Sequence, residues 1–418
     1  MGLKEEMLLL GDRAVTASRA LSLISSARKR EILRAMADEI VSRRQAITSA
    51  NSRDMEEARK MGLSSAMLDR LNLTDSRIDT MAAEMREVAE LRDPIGEVLL
   101  ETTRPNGLKI RKVRVPIGVI AIIYESRPNV TADVASLCIK SSNAVVLRGG
   151  TESFHSNRAI AEALQAGGES KGLPPYSVQL VQTTDRDAVR ELVQMEGKID
   201  LVIPRGGEGL IRAVAEMARV PVIKHYKGVC HTYVDASADL ETALRVCENA
   251  KCQRPGVCNA METLLVNEKV AKEFLPKVAH LLESRGVELR GDETARKIVP
   301  SMKPATEDDW YAEYLDLILA VKVVPEVRAA VHHINAYGSH LSDAIITTTA
   351  EHEAIFTQEV DSAVVYVNTS TRFTDGGEFG MGAEMGISTD KLHARGPMGV
   401  DELTSYKYVV VGNGQVRS

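Results

Sequence analysis

Between Ile117 and Val234 five apolar runs alternate with segments of helical periodicity, and no other feature of the chain restricts its fold as much. The runs are Val119-Ile120-Ala121-Ile122-Ile123, Ala144-Val145-Val146-Leu147, Val178-Gln179-Leu180-Val181, Leu201-Val202-Ile203 and Val220-Pro221-Val222-Ile223. The connecting segments, such as Ala159-Ile160-Ala161-Glu162-Ala163-Leu164, carry the spacing of an amphipathic helix. Repeated βα units of this kind predict an α/β fold with a parallel sheet of the nucleotide-binding type. Such sheets bind ligands beyond the carboxyl ends of their strands. Three turns therefore matter: Tyr124-Glu125-Ser126-Arg127-Pro128-Asn129, Arg148-Gly149-Gly150-Thr151 and Pro204-Arg205-Gly206-Gly207-Glu208-Gly209. Gly206 and Gly207 would let backbone approach a cofactor, or simply form a turn. The Gly-x-Gly-x-x-Gly fingerprint is missing from the first βα turn, which disfavours an ordinary Rossmann dehydrogenase.

Upstream, residues 3–92 read as helices, with apolar residues at three-to-four spacing such as Ile32, Leu33, Met36 and Ile40. Arg28-Lys29-Arg30 is expected to lie on a solvated helix face. Val98-Leu99-Leu100 and the alternating run Leu108 to Val115 flank Asn106-Gly107, a strong hairpin signal. The terminal run Tyr406-Lys407-Tyr408-Val409-Val410-Val411 is a further strand without a neighbour in sequence. Hairpin and terminal strand together suggest a protruding arm that pairs with another subunit.

A second βα region follows from about residue 235 to 368, with helices near 239–251, 268–284 and 326–337 and strands near 262–266, 317–324, 343–347 and 363–367. The expected organisation is a cofactor domain (1–96 and 117–234), a catalytic domain (235–368), an oligomerisation arm (97–116 and 400–418) and an active-site or interdomain loop (369–399). That last stretch is rich in glycine and polar residues, and a long loop inside a folded chain is commonly functional.

The chemistry centres on Lys251-Cys252-Gln253-Arg254-Pro255-Gly256-Val257-Cys258-Asn259. A helix ends at the Pro-Gly pair and a buried strand begins near Glu262, so Cys258 sits on a forced turn. Near Arg254 and loop amides, such a thiol is a candidate nucleophile; the competing reading is a buried structural cysteine. The five cysteines are odd in number and scattered, with no Cys-x-x-Cys pair, which suits a reducing cytoplasm. His225 and His231 flank Cys230, but no carboxylate is evident nearby, so structural histidines are expected there, as at His332-His333, and no metal. The net charge of −6 gives no reason to expect nucleic acid or an anionic membrane, and neither a secretory leader nor an 18-residue apolar run is evident.

From the N-terminal helices to about Val411 the chain resembles the aldehyde dehydrogenase superfamily and, within it, the gamma-glutamyl phosphate reductase branch. The most specific matches are Gln253-Arg254-Pro255 before Cys258-Asn259, Pro304-Ala305-Thr306-Glu307-Asp308-Asp309-Trp310, and Thr389-Asp390-Lys391-Leu392-His393-Ala394-Arg395-Gly396-Pro397-Met398-Gly399. The resemblance implies that Cys258 is the nucleophile and that the Asn129 amide shares the oxyanion hole with the Cys258 N–H. It sets Arg148 where the superfamily has a lysine on the adenosine ribose, and Glu313 where a glutamate holds the nicotinamide ribose. Hydrolytic members carry Glu-Leu-Gly-Gly after the strand near 223; here His225-Tyr226-Lys227-Gly228 stands instead, so the base that activates a deacylating water is absent. Thr151 replaces the carboxylate of NAD-preferring relatives, which points to NADP(H) over NAD(H).

The implied reaction is reduction of L-glutamyl 5-phosphate to the semialdehyde through a Cys258 thioester, with Arg127, Arg254, Lys391 and Arg395 as candidate anion contacts or, equally, ion-pair partners. The resemblance further implies a homodimer or homotetramer and possible channelling from glutamate 5-kinase. Two rivals remain: an acylating relative that uses another donor such as a CoA ester, and a catalytically silent protein of the same fold.

Overall fold

The computed structural model describes residues 2–417 as two compact units. The first comprises residues 2–224, 380–386 and 398–417, the second 225–379 and 387–397.

The first unit opens with five helices, Leu3–Leu21, Ser26–Ser42, Arg44–Lys60, Ser65–Leu71 and Asp75–Glu90. Ser25, Ser64 and Thr74 accept backbone N–H bonds at three of the helix starts, satisfying donors that the first turn leaves open. The stripe Ile32, Leu33, Met36, Ala37 and Ile40 is completely buried, as its spacing predicts. One charge on this helix departs from expectation. Lys29 lies inside, 1% exposed, with Nζ donating to Lys140 O (3.1 Å) and Ser142 Oγ (2.9 Å) and paired with Asp93 Oδ2 (2.6 Å). Lys29 lies three and four residues before Ile32 and Leu33, in phase with the buried stripe, and its charge is met there by a carboxylate, a carbonyl and a hydroxyl.

The predicted parallel sheet is present in the order Val178–Leu180, Ala144–Gly149, Val119–Tyr124, Leu201–Arg205, every pair parallel. Its central strand Val119–Tyr124 is buried along its whole length, so water has no access to its hydrogen-bonded ladder. The fifth run, residues 220–223, does not become a strand. It makes a single bridge, Val202 to Val222, because Pro221 has no N–H with which to extend a ladder.

The hairpin is Val98–Thr103 against Lys109–Pro116, and Thr404–Val411 adds to its second arm. Its turn is longer than a two-residue Asn-Gly turn. Pro105, with φ fixed at about −65°, suits the second position of a turn over 104–107, so Gly107 N closes on Arg104 O (2.8 Å) and Gly107 follows at φ +86°. Leu100, Tyr408 and Val410 are more than half exposed on this thin antiparallel sheet.

The second unit is built on a seven-stranded parallel sheet in the order Lys303–Pro304, Glu288–Gly291, Ile318–Val324, Met261–Asn267, Cys230–Val234, Ser342–Ile346, Val364–Val367. The helices near 239–251, 268–284 and 326–337 appear as Leu240–Cys252, Glu268–Ser284 and Val327–Tyr337. Residues 230–234 were expected within the first domain; as the strand Cys230–Val234 they instead lie between Met261–Asn267 and Ser342–Ile346. The boundary thus moves from 234 to 224, because a buried apolar strand fits either sheet and only its pairing decides. The stretch 369–399 is likewise divided: 387–397 belongs to the second unit, while 380–386 and the chain from Met398 belong to the first, with short strands Gly386–Ser388 and Gly396–Met398 pairing.

Candidate active site

The helix Leu240–Cys252 stops before Pro255, and the buried strand Met261–Asn267 begins three residues beyond Cys258. Its two ends are stapled together. Lys251, last but one in the helix, and Glu262, second in the strand, form a 2.6 Å ion pair with neither side chain exposed, and the second Glu262 oxygen accepts Leu315 N (3.2 Å). Burial pushes the Lys251 pKa down and the Glu262 pKa up, while each charge opposes the shift of the other. Losing either partner would strand a charge in the protein interior.

Cys258 itself is partly exposed on this loop, and its carbonyl accepts the Cys230 Sγ–H (3.3 Å). Backbone from the 225–228 segment presses on it: a Cβ at Gly228 would collide with the Cys258 carbonyl oxygen, so no other residue fits there. Gly228 N in turn donates to Glu313 Oε1 (2.7 Å), and Lys227 Nζ donates to Tyr311 O (2.8 Å). Glu313 therefore braces the segment facing the cysteine.

Behind Glu313 stands Asp309 of the Pro304 to Trp310 motif. Its carboxylate accepts from Thr306 N (2.7 Å), Thr306 Oγ1 (2.8 Å), Arg290 Nη1 (2.8 Å) and Tyr314 OH (2.7 Å). Burial alone would raise its pKa, but these bonds outweigh it and hold the carboxyl well below the usual range. The motif thus acts as scaffold for residues 311–315.

Asn259, 5% exposed, anchors the far side of the cysteine: its Nδ2 donates to Thr374 O (2.7 Å), its carbonyl accepts Thr371 Oγ1 (2.7 Å), and its Oδ1 accepts Arg372 Nη1. Arg372 Nε also donates to Gln253 Oε1 (2.9 Å). Neither Arg372 nor the Lys251–Glu262 staple was among the expected site residues. A glutamate opening an otherwise apolar strand was the signal available for the staple.

In the first unit, Asn129 precedes the helix Val130–Lys140 and donates from Nδ2 to Asp133 Oδ2 (2.8 Å). Burial, then the charge of Glu84, raises the Asp133 pKa to about 7, against the opposing Asn129 bond. The preceding turn is strained, with Ser126 at φ +48°, and Glu152 Oε1 holds it through Ser126 N (2.5 Å) and Oγ (2.9 Å). Gly207 N donates to Glu125 Oε2 (3.2 Å), and a Cβ at Gly206 would strike that same carboxylate. A side chain at Gly206 would therefore displace the Glu125 carboxylate, while the space over Gly207 is open. Thr151 is exposed. Arg148 is 8% exposed; its Nη1 and Nη2 donate to Gly149 O (2.9 Å) and Thr184 O (3.0 Å), and its Nε has no partner among the described residues. Its guanidinium is held rigid with a donor to spare.

The four candidate anion contacts separate. Arg127 and Arg254 are exposed. Lys391 Nζ and Arg395 Nη2 both pair with Asp361, at 2.6 and 2.9 Å, and Lys391 first, then Arg395, lower the Asp361 pKa. These two cations thus share one carboxylate. His231 does have a carboxylate beside it, contrary to expectation: Nδ1 lies 2.9 Å from Asp343 Oδ1, both fully buried. Buried His333 stacks edge-on to Trp310 and burial lowers its pKa to about 2, as for a structural imidazole. No group of three or more potential metal ligands occurs among the described residues, and none of their helices is long and apolar enough to cross a membrane.

Residues 4–309 match the model of the aldehyde dehydrogenase family. Along its whole length the chain is 54% identical, over 417 residues, to the gamma-glutamyl phosphate reductase of Moorella thermoacetica, covering 100% of each chain. It is 53% identical to that of Aquifex aeolicus, covering 97% of this chain and 95% of the relative. The crystal structure of gamma-glutamyl phosphate reductase from Thermotoga maritima superimposes with a TM-score of 0.97 at 48% identity, over 99% of this chain and 100% of that one. The chain belongs to the aldehyde dehydrogenase family and, within it, to the gamma-glutamyl phosphate reductases.

Proposed function

We propose that this enzyme reduces L-glutamyl 5-phosphate to L-glutamate 5-semialdehyde, releasing phosphate, as a step of proline biosynthesis. The observation that carries the reading is the full-length 54% identity to a gamma-glutamyl phosphate reductase. Aldehyde dehydrogenases work with a nicotinamide cofactor, and a reduced one supplies the hydride. The chain's own residues supply the rest. Cys258 thiolate attacks the acyl carbon; the C–S bond forms, the C–O bond to phosphorus breaks, and phosphate leaves with the electron pair. The Asn129 amide and the Cys258 N–H hold the oxyanion. After reduction the C–S bond breaks, the aldehyde departs and the thiolate is restored. Phosphate, not water, is the natural partner of the thioester in reverse. This agrees with a 225–228 segment that carries no carboxylate and whose neighbour Glu313 commits one oxygen to Gly228 N.

The first unit serves as the cofactor domain and the second as the catalytic domain. Support comes from the open turn at Gly207 and from Arg148, whose buried, unspent Nε fits an anionic group, with NADP(H) the preferred form since Thr151 bears no charge. Glu152 keeps its negative charge near Arg148 although its Oε1 accepts from Ser126, and it counts against that preference. The exposed sheet of Val98–Thr103, Lys109–Pro116 and Thr404–Val411 suits a homodimer or homotetramer contact. Five free thiols suit a reducing cytoplasm, and an acyl phosphate as labile as this substrate suits direct transfer from glutamate 5-kinase.

The deciding assay is phosphate-dependent reduction of NADP+ by L-glutamate 5-semialdehyde. Wild type should turn over, Cys258→Ser should not, and CoA should fail to replace phosphate. Turnover with CoA alone would transfer the chain to the CoA-acylating branch, and no turnover with either would make it a silent member.

A further inference from the structure

We propose that Arg372 positions the nucleophile: it clamps the Cys258 loop from both sides and supplies the positive charge that favours the Cys258 thiolate. The inference rests on the reading of Cys258 as nucleophile and extends it to a residue outside the recognised motifs. Three observations bear on it. Arg372 Nε is bonded to Gln253 Oε1 (2.9 Å), five residues before the cysteine, and Nη1 to Asn259 Oδ1, one residue after it. One planar guanidinium thus spans the loop, a geometry that Lys cannot reproduce. The segment that carries it is itself pinned, since Thr371 Oγ1 donates to Asn259 O (2.7 Å) and Thr374 O accepts Asn259 Nδ2 (2.7 Å). The guanidinium is half-buried and interacts electrostatically with Cys258; burial and then Arg254 work against its charge, while Cys258 favours it. A cation held in partly desolvated surroundings acts on a neighbouring thiol more strongly than one in water. The other ionisable groups around this loop are Arg254 on the loop itself, Asp375 beside Arg372, and, beneath, the buried Cys230, Glu262 and Asp343. Arg372 is the cation among them that is bonded to the loop at both ends.

The test measures alkylation of each cysteine by iodoacetamide from about pH 5.5 to about pH 9.5, followed by peptide mass spectrometry, in wild type, Arg372→Gln and Arg372→Lys. Cys252, partly exposed on the same helix end, is the internal reference. In Arg372→Gln the midpoint for Cys258 should rise by about one pH unit with that of Cys252 unmoved. Its kcat should fall on the order of 100-fold with KM for phosphate changed less than about threefold. Arg372→Lys should recover the midpoint but only part of kcat, separating charge from clamp. An unchanged Cys258 profile in Arg372→Gln, or a loss confined to KM, overturns the proposal. Should Arg372→Gln not fold, an Arg372→Lys kcat equal to wild type refutes the clamp. Failure of the underlying reading looks different: Cys258→Ser would keep its turnover.

Discussion

The two parallel sheets solve different problems with different chemistry. In the first unit the strands of the parallel sheet are mainly apolar, with Arg148, Gln179 and Arg205 as the exceptions, and the turns at their carboxyl ends are held from behind by single carboxylates, Glu125 on Gly207 N and Glu152 on Ser126. In the second, charge is buried within the sheet itself: Lys251 with Glu262, His231 with Asp343, and Asp235 with Tyr233, Ser237, Thr347 and His352. On the proposed roles, a turn that receives and releases a cofactor needs exposed backbone and modest anchoring. A loop that must hold a sulfur through bond formation and cleavage gains from buried pairs, whose geometry cannot slip without leaving a charge unpaired.

Four substitutions and one pH series would break or sharpen this contrast. The greatest loss should come from Cys258→Ser, which should reduce phosphate-dependent turnover by at least about 10,000-fold while leaving the melting temperature close to wild type. A variant with measurable thioester chemistry would end the assignment. Next, Lys251→Met should cost about 3–5 kcal/mol in urea unfolding, and the double change Lys251→Met with Glu262→Leu should recover most of it. If the single change proves neutral, the staple does not hold the loop. Asn129→Ala should lower kcat on the order of 100-fold, equivalent to about 2.7 kcal/mol, with little change in stability.

The pH series concerns Asp133, whose carboxyl is raised to about 7, chiefly by burial. The folded state binds its proton more tightly than the unfolded chain does, so the stability it contributes is complete below about pH 4 and is lost as pH rises through about 7. Comparing wild type with Asp133→Asn, the melting temperature of wild type should drop by a few degrees more between about pH 5 and about pH 8. Parallel curves would mean that Asp133 is ionised throughout. The smallest effect is expected from Glu125→Gln in the first sheet, about 1 kcal/mol of stability, with a raised KM for the dinucleotide and unchanged Cys258 alkylation.

Much of the architecture was legible because it depends on local period. The helical stripe at Ile32 to Ile40, the run Val119 to Ile123 and the helix ending before Pro255 each carry their own signal, and each appears where expected. The errors share a cause. Lys29 was read as solvated, 230–234 was placed within the first domain, and 220–223 was given a full strand. In each case the local pattern permits two outcomes, and a partner far along the chain, or a missing N–H at Pro221, selects one.

The candidate site divides in the same way. Cys258 on its forced turn was evident from Pro255, Gly256 and the apolar strand that follows. That Gly228 must be glycine, that Asp361 pairs with both Lys391 and Arg395, and that Arg372 spans the cysteine loop depend on contacts between distant segments. The sequence by itself determined the βα repeat, the helical layer and the forced turn that carries Cys258, since these follow from residue spacing and backbone stereochemistry. Tertiary structure alone decided which sheet each buried strand joined and which charges were spent on one another. An apolar strand or a charged side chain gains energy from any suitable neighbour, and only the folded chain determines which neighbour is there.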